Sequence, residues 1–161
     1  MAVNDIKIYD EGAFGYPGDE VFVVAASATT IKQGEPVVKA LGGVAVTPLA
    51  TNKPVVATDF LCGIAATTST NTAALAGTVG VTKLVDGMSF LIAPNVATTW
   101  DTQAEYDALV GDRVLLDLTS GSYTILATDG ATYGCVIMPL DIKKYPDKVR
   151  FALRRGCNVL T

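Results

Sequence analysis

From about Val21 to Leu140 the chain is cut by turn-forming residues every 8–12 positions or so, and this spacing constrains its fold more than any other feature. Segments that short hold strands and leave room for little helix. Val21-Phe22-Val23-Val24-Ala25-Ala26 is an apolar run of strand length, and the stretch from Thr29 to Val38 reads as strand, turn at Gln33-Gly34, and strand. Gly42-Gly43 turns the chain before Val44-Ala45-Val46-Thr47-Pro48-Leu49. Phe60-Leu61-Cys62-Gly63-Ile64-Ala65, residues 77–85 and 88–93, and later 113–118, 123–127 and 134–140 continue the series. Asp86-Gly87 and Ser120-Gly121 carry the signals of hairpin turns. The apolar residues are mostly alanine, valine, leucine and isoleucine beside abundant threonine, a mixture that favours strands. The fold class predicted is mainly β, a small barrel or sandwich.

One helix interrupts the strands. Thr102-Gln103-Ala104-Glu105 fits a capping box, in which the threonine hydroxyl accepts the Glu105 amide and the glutamate reaches back to the Thr102 amide. Gly111 supplies a stop, so the helix spans residues 103–110, with Ala104, Ala108 and Leu109 on one face and Asp107 exposed.

A length of 161 residues fits one domain with arms, and half of the residues are hydrophobic, enough for a large core. Threonine, glycine, proline and charge break every apolar run before the roughly 18–20 residues of a membrane helix, so a soluble protein is expected, with no membrane partner. The start, Met1-Ala2-Val3-Asn4-Asp5, lacks the basic and apolar regions of a secretory signal. Cys62, Cys135 and Cys157 are odd in number and unpaired in spacing, which predicts free thiols in a reducing compartment.

Histidine is absent. Its absence removes the commonest general base and metal ligand, and with them serine–histidine, cysteine–histidine and histidine–metal chemistry. Gly12-Ala13-Phe14-Gly15 and Gly77-Thr78-Val79-Gly80 lack the lysine and the strand-to-helix context of a phosphate loop. Asp101, Glu105, Asp107, Asp112 and Asp117 have the spacing of a solvated helix face and turns rather than of a catalytic pair. No catalytic residue, cofactor or metal site is predicted, and the chain reads as a non-enzyme.

Charge divides the chain into three. Residues 1–20 hold five acidic residues and one lysine, −4 in all, with Ile6, Ile8, Tyr9, Phe14 and Tyr16 set among them. They read as an extended N-terminal arm, or equally as an edge strand and loop of the same domain. Residues 21–140 form the β-rich core. Residues 141–161 carry six basic residues against two acidic ones, +4, including Lys143, Lys144, Arg150, Arg154 and Arg155. Nucleic acid is an unfavoured partner, because the remainder is acidic and the sequence pI is near 4.7. Opposite charges at the two ends suit either a self-complementary assembly or an arm folded back on its own domain.

The segment Ile31-Lys32-Gln33-Gly34-Glu35-Pro36-Val37-Val38, then Gly43-Val44-Ala45-Val46, Phe60-Leu61-Cys62-Gly63-Ile64-Ala65 and Gly77-Thr78-Val79-Gly80-Val81, resembles the head decoration (cement) proteins of tailed bacteriophages. The resemblance covers residues 31–92, under half of the chain. It implies a small β-tulip-type domain with extended terminal segments, and a structural role on the exterior of the virion. There the protein, made in the host cytoplasm, would bind the major capsid protein where capsomers meet, alone or as a trimer or other homo-oligomer. Under this reading Ile6, Ile8, Tyr9, Phe14 and Tyr16 anchor on a neighbouring subunit, and Lys143, Lys144, Arg150, Arg154 and Arg155 meet its carboxylates. A phage tail-tube or head-completion protein shares the same profile. A carbohydrate- or host-surface-binding module is a third reading, with Trp100 the only tryptophan to offer a sugar platform.

Overall fold

The computed structural model describes residues 6–10, 18–50, 52–56, 58–84, 88–96, 100–119 and 122–154, and every structural statement below concerns these. The fold is mainly β, with a sheet that nearly closes into a barrel. Five strands build the barrel, β2 (Asp19–Val24), β3 (Pro36–Ala40), β4 (Thr47–Pro48), β5 (Asp59–Ala65) and β6 (Gly77–Lys83), in the spatial order β2-β6-β5-β3-β4. All neighbours are antiparallel. A single parallel bridge, Val24 to Val46, draws the two outer strands together, with the Val46 amide donating to the Val23 carbonyl at 2.9 Å. Closure of this kind leaves little free edge.

Side-chain alternation fills the barrel. Val24, Ile31, Val37, Val46, Cys62, Ala65, Val79 and Val81 form its buried interior, and partly buried Phe22 packs against them. Small and β-branched residues suit so narrow a space, which explains why the chain is poor in aromatics. The pairing of β3 with β5 slips between Val37 and Val38, which are opposite Gly63 and Leu61 respectively. Such a bulge resets which face each residue takes. Cys62 and Ala65 therefore face inward while Leu61 and Ile64 join a second core outside the barrel. Gly63 has no alternative there, because a Cβ would collide with the Thr82 carbonyl on β6 and with the Val81 side chain.

The second sheet has seven strands. β8 (Arg113–Val114), β11 (Cys135–Ile137), β12 (Val149–Leu153), β7 (Ser89–Pro94), β10 (Ser122–Ile125) and β9 (Leu116–Thr119) follow in that spatial order, and β1 (Lys7–Asp10) also pairs with β7. β7 is the spine of this sheet. β12 runs antiparallel along one side of it, while β1, antiparallel, and β10, parallel, share the other side end to end. Between the sheet and the barrel lies the larger core, with Phe90, Ile92, Phe151, Val149, Ile125 and Leu116 from the sheet against Val38, Leu49 and Leu61 from the barrel.

The helix α1 (Gln103–Leu109) starts at Thr102 with both capping-box bonds present and stops before Gly111, whose φ of +96° only glycine adopts readily. Its buried residue is Tyr106, whereas Ala104 and Ala108 are exposed, which corrects the expected face. The larger apolar surface of tyrosine decides the orientation, and its hydroxyl is satisfied by donating to the Met138 carbonyl and accepting the Arg150 amide, each at 2.9 Å. The expected hairpin at Ser120-Gly121 agrees with the ladder, since Thr119 and Ser122 pair across it. The strands flanking Asp86-Gly87 do not pair and enter different sheets, so that connection passes from barrel to sheet rather than forming a hairpin. Residues 29–31 carry no strand, although Ile31 is fully buried.

Residues 7–10 and 149–153 are parts of the seven-stranded sheet, and Ile6, Val149 and Phe151 belong to its core. The physical reason is the central position of β7, which needs β12 on one side and β1 on the other to satisfy its backbone.

Candidate interaction surfaces

Of the residues expected to contact a partner, Tyr9, Lys144 and Arg150 come together, and they meet each other within one chain. The Arg150 guanidinium lies 4.3 Å from the Tyr9 ring centroid, its Nε donates to Ser89 Oγ at 3.0 Å and its Nη1 to the Pro139 carbonyl at 3.3 Å. Tyr9 meets the Tyr145 ring edge-on at 5.5 Å, and Lys144 Nζ is 5.3 Å from that same ring. N-terminal and C-terminal segments thus contact each other, in part through cation–π attraction at an edge-on pair of tyrosines.

Two expected anchors are engaged within the chain itself. Ile6 is 7% exposed and packed against its own chain, so it has little surface to offer a neighbour. Arg154 directs Nη1 to the carbonyls of Ala131 and Tyr133, at 2.9 and 2.8 Å, where it ties down the loop before β11. Arg150 is likewise occupied within the fold. Lys143 and Lys144 are exposed and keep their charge at the surface. Backbone pairing places Ile8 opposite Phe90 in the ladder. Phe14, Tyr16 and Arg155 lie outside the described residues, as does Cys157.

The surface that reading the sequence missed is on the barrel. Val21 and Val23 alternate with inward-facing Phe22 and Val24, so they stand on the outer face of β2, 71% and 52% exposed. Val44 is 88% exposed and precedes the bridging residue Val46, while Leu41 and Leu75 are each 68% exposed on barrel loops. Continuous apolar character in residues 21–26 was the available signal, because a strand with one wet face ordinarily alternates. Beside the Val24–Val46 bridge lies a groove of about 280 Å³ lined by Val24, Ala25, Val46 and Pro48 among others. On the inward side of β2, at the end of the barrel, Glu20 pairs with Lys83 at 2.8 Å.

Ionisable groups are placed structurally. Burial pushes the Cys62 thiol up to about 11, in the interior of the barrel, where it is a poor nucleophile. Cys62 and Cys135 are both buried. At the far edge of the second sheet the Arg113 guanidinium holds the Asp129 carboxyl down at about 2, through a two-pronged bond of 2.9 and 3.1 Å, with the Arg113 amide also donating at 2.7 Å. Lys53 and Asp59 pair at 2.9 Å, and the Val55 amide donates to the same carboxylate. No group of three or more potential metal ligands converges among the described residues, and no described helix is long and apolar enough to cross a membrane. Comparisons with family models, with curated proteins and with solved structures find no match to the chain.

Proposed function

We propose that the protein is a structural virion component that adheres to the outer surface of an assembled phage capsid and cements neighbouring major capsid subunits. The observation that carries this reading is the apolar outer face of the barrel. Val21 and Val23 are neighbours on one face of one strand, and with Val44, Leu41 and Leu75 they leave large aliphatic side chains in water at a cost that burial against a partner relieves. The sequence segments that resemble decoration proteins supply parts of β3, β5 and β6, three of the five barrel strands, and the bridging residue Val46.

The mechanism follows from rigidity and repetition. A barrel with a packed apolar interior, braced by a second sheet, presents its apolar face with little ordering cost at each contact. Copies bound at every junction, or one copy bridging two capsomers, gain from effective concentration, so contacts of ordinary size become persistent. Lys143 and Lys144 supply the exposed positive charge for acidic shell residues. Partners under this reading are the major capsid protein and further copies of the chain.

Co-sedimentation with capsids assembled from the major capsid protein of the same genome tests the proposal. Saturable binding that persists at high salt is the expected result, since the contact is mainly apolar. Failure to co-sediment at any salt concentration refutes it. Spontaneous growth of the purified protein into rings or tubes would instead favour a tail-tube or head-completion role.

A further inference from the structure

Closure of the barrel stops short of one strand edge. β2 and β6 pair without a slip over six residues, so the direction of each β2 backbone group follows from a few bonds. The Lys83 amide donates to the Gly18 carbonyl, which makes Asp19 and Thr82 a pair that exchanges no bond across the ladder. Alternation extends this to Val21 with Gly80 and to Val23 with Thr78. The β6 side agrees. The Gly80 carbonyl accepts the Ala66 amide at 2.7 Å and its amide donates to Thr67 Oγ1 at 2.9 Å, while Thr78 is bonded through both backbone groups to Thr70, each at 3.0 Å. The backbone N–H and C=O of Val21 and Val23 therefore point away from β6, along the outer edge of the sheet. The Val23 carbonyl accepts the Val46 amide; the Val21 N–H and C=O and the Val23 N–H meet no partner among the described residues.

Three other sheet ends are short or covered. β4 has two residues and ends at Pro48, β8 has two residues and its Arg113 carbonyl accepts the Gly130 amide, and Leu116 on β9 exchanges bonds with Lys53 in both directions. β2 has neither proline, lysine nor bulge over Asp19–Val24, the devices that keep an edge from pairing. Its exposed side chains are the β-branched Val21 and Val23, which suit a further strand alongside.

We propose that β2 pairs antiparallel with β2 of a second copy of this chain, about a two-fold axis at Val21. Val21 turns one donor and one acceptor to the same edge, so the axis satisfies both by exchange, each N–H donating to the other copy's C=O. Charge and occupancy select the register. An axis at Glu20 sets that carboxylate opposite its own copy, and like charges directly opposite repel. An axis at Phe22 brings each Val21 onto a Val23 whose carbonyl is already taken. With the axis at Val21, Asp19 lies across from Val23 and Glu20 across from Phe22, and Glu20 is already paired with Lys83. The pairing also joins Val21 and Val23 of both copies into one aliphatic stripe on the outer face. Contact along a strand edge is smaller than the roughly 1,200–2,000 Å² of a stable interface, so the dimer is weak, with a Kd on the order of 10–100 µM. The pairing does not rest on capsid binding. It closes at two copies, so it builds neither rings nor tubes.

Sedimentation equilibrium of the purified chain between about 1 and 500 µM should show the mass rising from 16.8 kDa toward twice that value. Val21→Pro removes the outward N–H and leaves the β2–β6 ladder intact, and it should weaken dimerisation at least tenfold. Val21→Thr keeps the N–H and the β-branch and should dimerise within about threefold of wild type. Residue-resolved amide exchange reads the edge directly in the wild type: the Val21 amide should exchange about threefold or more slowly at about 500 than at about 10 µM, while the Phe22 amide, bonded to β6, changes little. This second measurement stands even where the proline variant fails to fold. A constant 16.8 kDa up to about 500 µM, a three-fold assembly, undiminished dimerisation of a folded Val21→Pro protein, or Val21 exchange independent of concentration each overturns the inference. A protein that stays monomeric yet co-sediments with capsids overturns it and leaves the capsid reading standing.

Discussion

Truncating Ile6 to alanine separates two roles for the N-terminal segment that the sequence alone leaves open. If Ile6 served a neighbouring subunit, an isolated protein would not register its loss. The structure instead buries it to 7% exposure beside Leu61, Ile64, Leu84, Phe90 and Phe151, at the junction of barrel and sheet. Removing a buried isoleucine down to alanine costs about 2–5 kcal/mol, from lost transfer energy and the cavity left behind. The site is at the end of a four-residue strand that can partly collapse, so about 3 kcal/mol is the expected value. For a chain of this length each kcal/mol moves Tm by about 2–4 °C, which gives a fall of about 6–12 °C. Ile6→Val should cost only about 0.5–1.5 kcal/mol. Urea unfolding followed by circular dichroism gives the same quantity as a shift in midpoint at constant slope. A change in Tm below about 2 °C for Ile6→Ala would refute the placement of this residue in the core and restore it as a free anchor.

Other consequences are equally open to measurement. Tyr106→Phe deletes the hydroxyl shared by Met138 and Arg150 and should cost about 1–3 kcal/mol, read by the same unfolding assay. Burial pushes the Tyr106 phenol up to about 12, so the folded state keeps a proton that the unfolded chain releases near pH 10; stability falls as pH rises from 10 to 12, and the phenylalanine variant should lack that part of the fall. Asp129 shows the opposite sign. Its carboxyl is held at about 2 by Arg113, so its support is present above about pH 4 and disappears as pH drops toward 2, and the stability difference between wild type and Asp129→Asn should shrink over that window. Cys62, with its thiol at about 11 inside the barrel, should resist iodoacetamide in the native protein and react on unfolding; site-resolved mass spectrometry showing labelling at the rate of a free thiol would contradict the barrel interior.

Local signals carried the strands and the helix well, because they act within a few residues. The Thr102–Glu105 box and Gly111 bound α1 to within one residue, and the strands on either side of Ser120-Gly121 pair antiparallel as that turn signal implies. Pairing across the fold was less legible. Asp86-Gly87 has good hairpin chemistry, yet Leu84 and Met88 on either side bury in the core between the two sheets, and that packing carries the chain onward. The helix face was misread because two alanines in register look like a stripe, while one tyrosine buries more surface than both. Charge told that the two ends attract, but not that Arg150 and Tyr9 satisfy each other inside one chain. The barrel's apolar exterior was hidden for a simpler reason. Val21 and Val23 have the composition of buried residues, and only the alternation imposed by closure through Val24 and Val46 shows which way they face.

The claim that most needs testing is that the barrel face is the adhesive surface. Capsid binding curves for the wild type, for Val21→Asp combined with Val23→Asp, and for Lys143→Ala combined with Lys144→Ala test it directly. The account predicts at least a tenfold loss of affinity for the aspartate pair, unfolding midpoints within about 2 °C of wild type because both valines are exposed, and a smaller, salt-dependent loss for the lysine pair. Undiminished capsid binding by a folded Val21→Asp, Val23→Asp protein would contradict it.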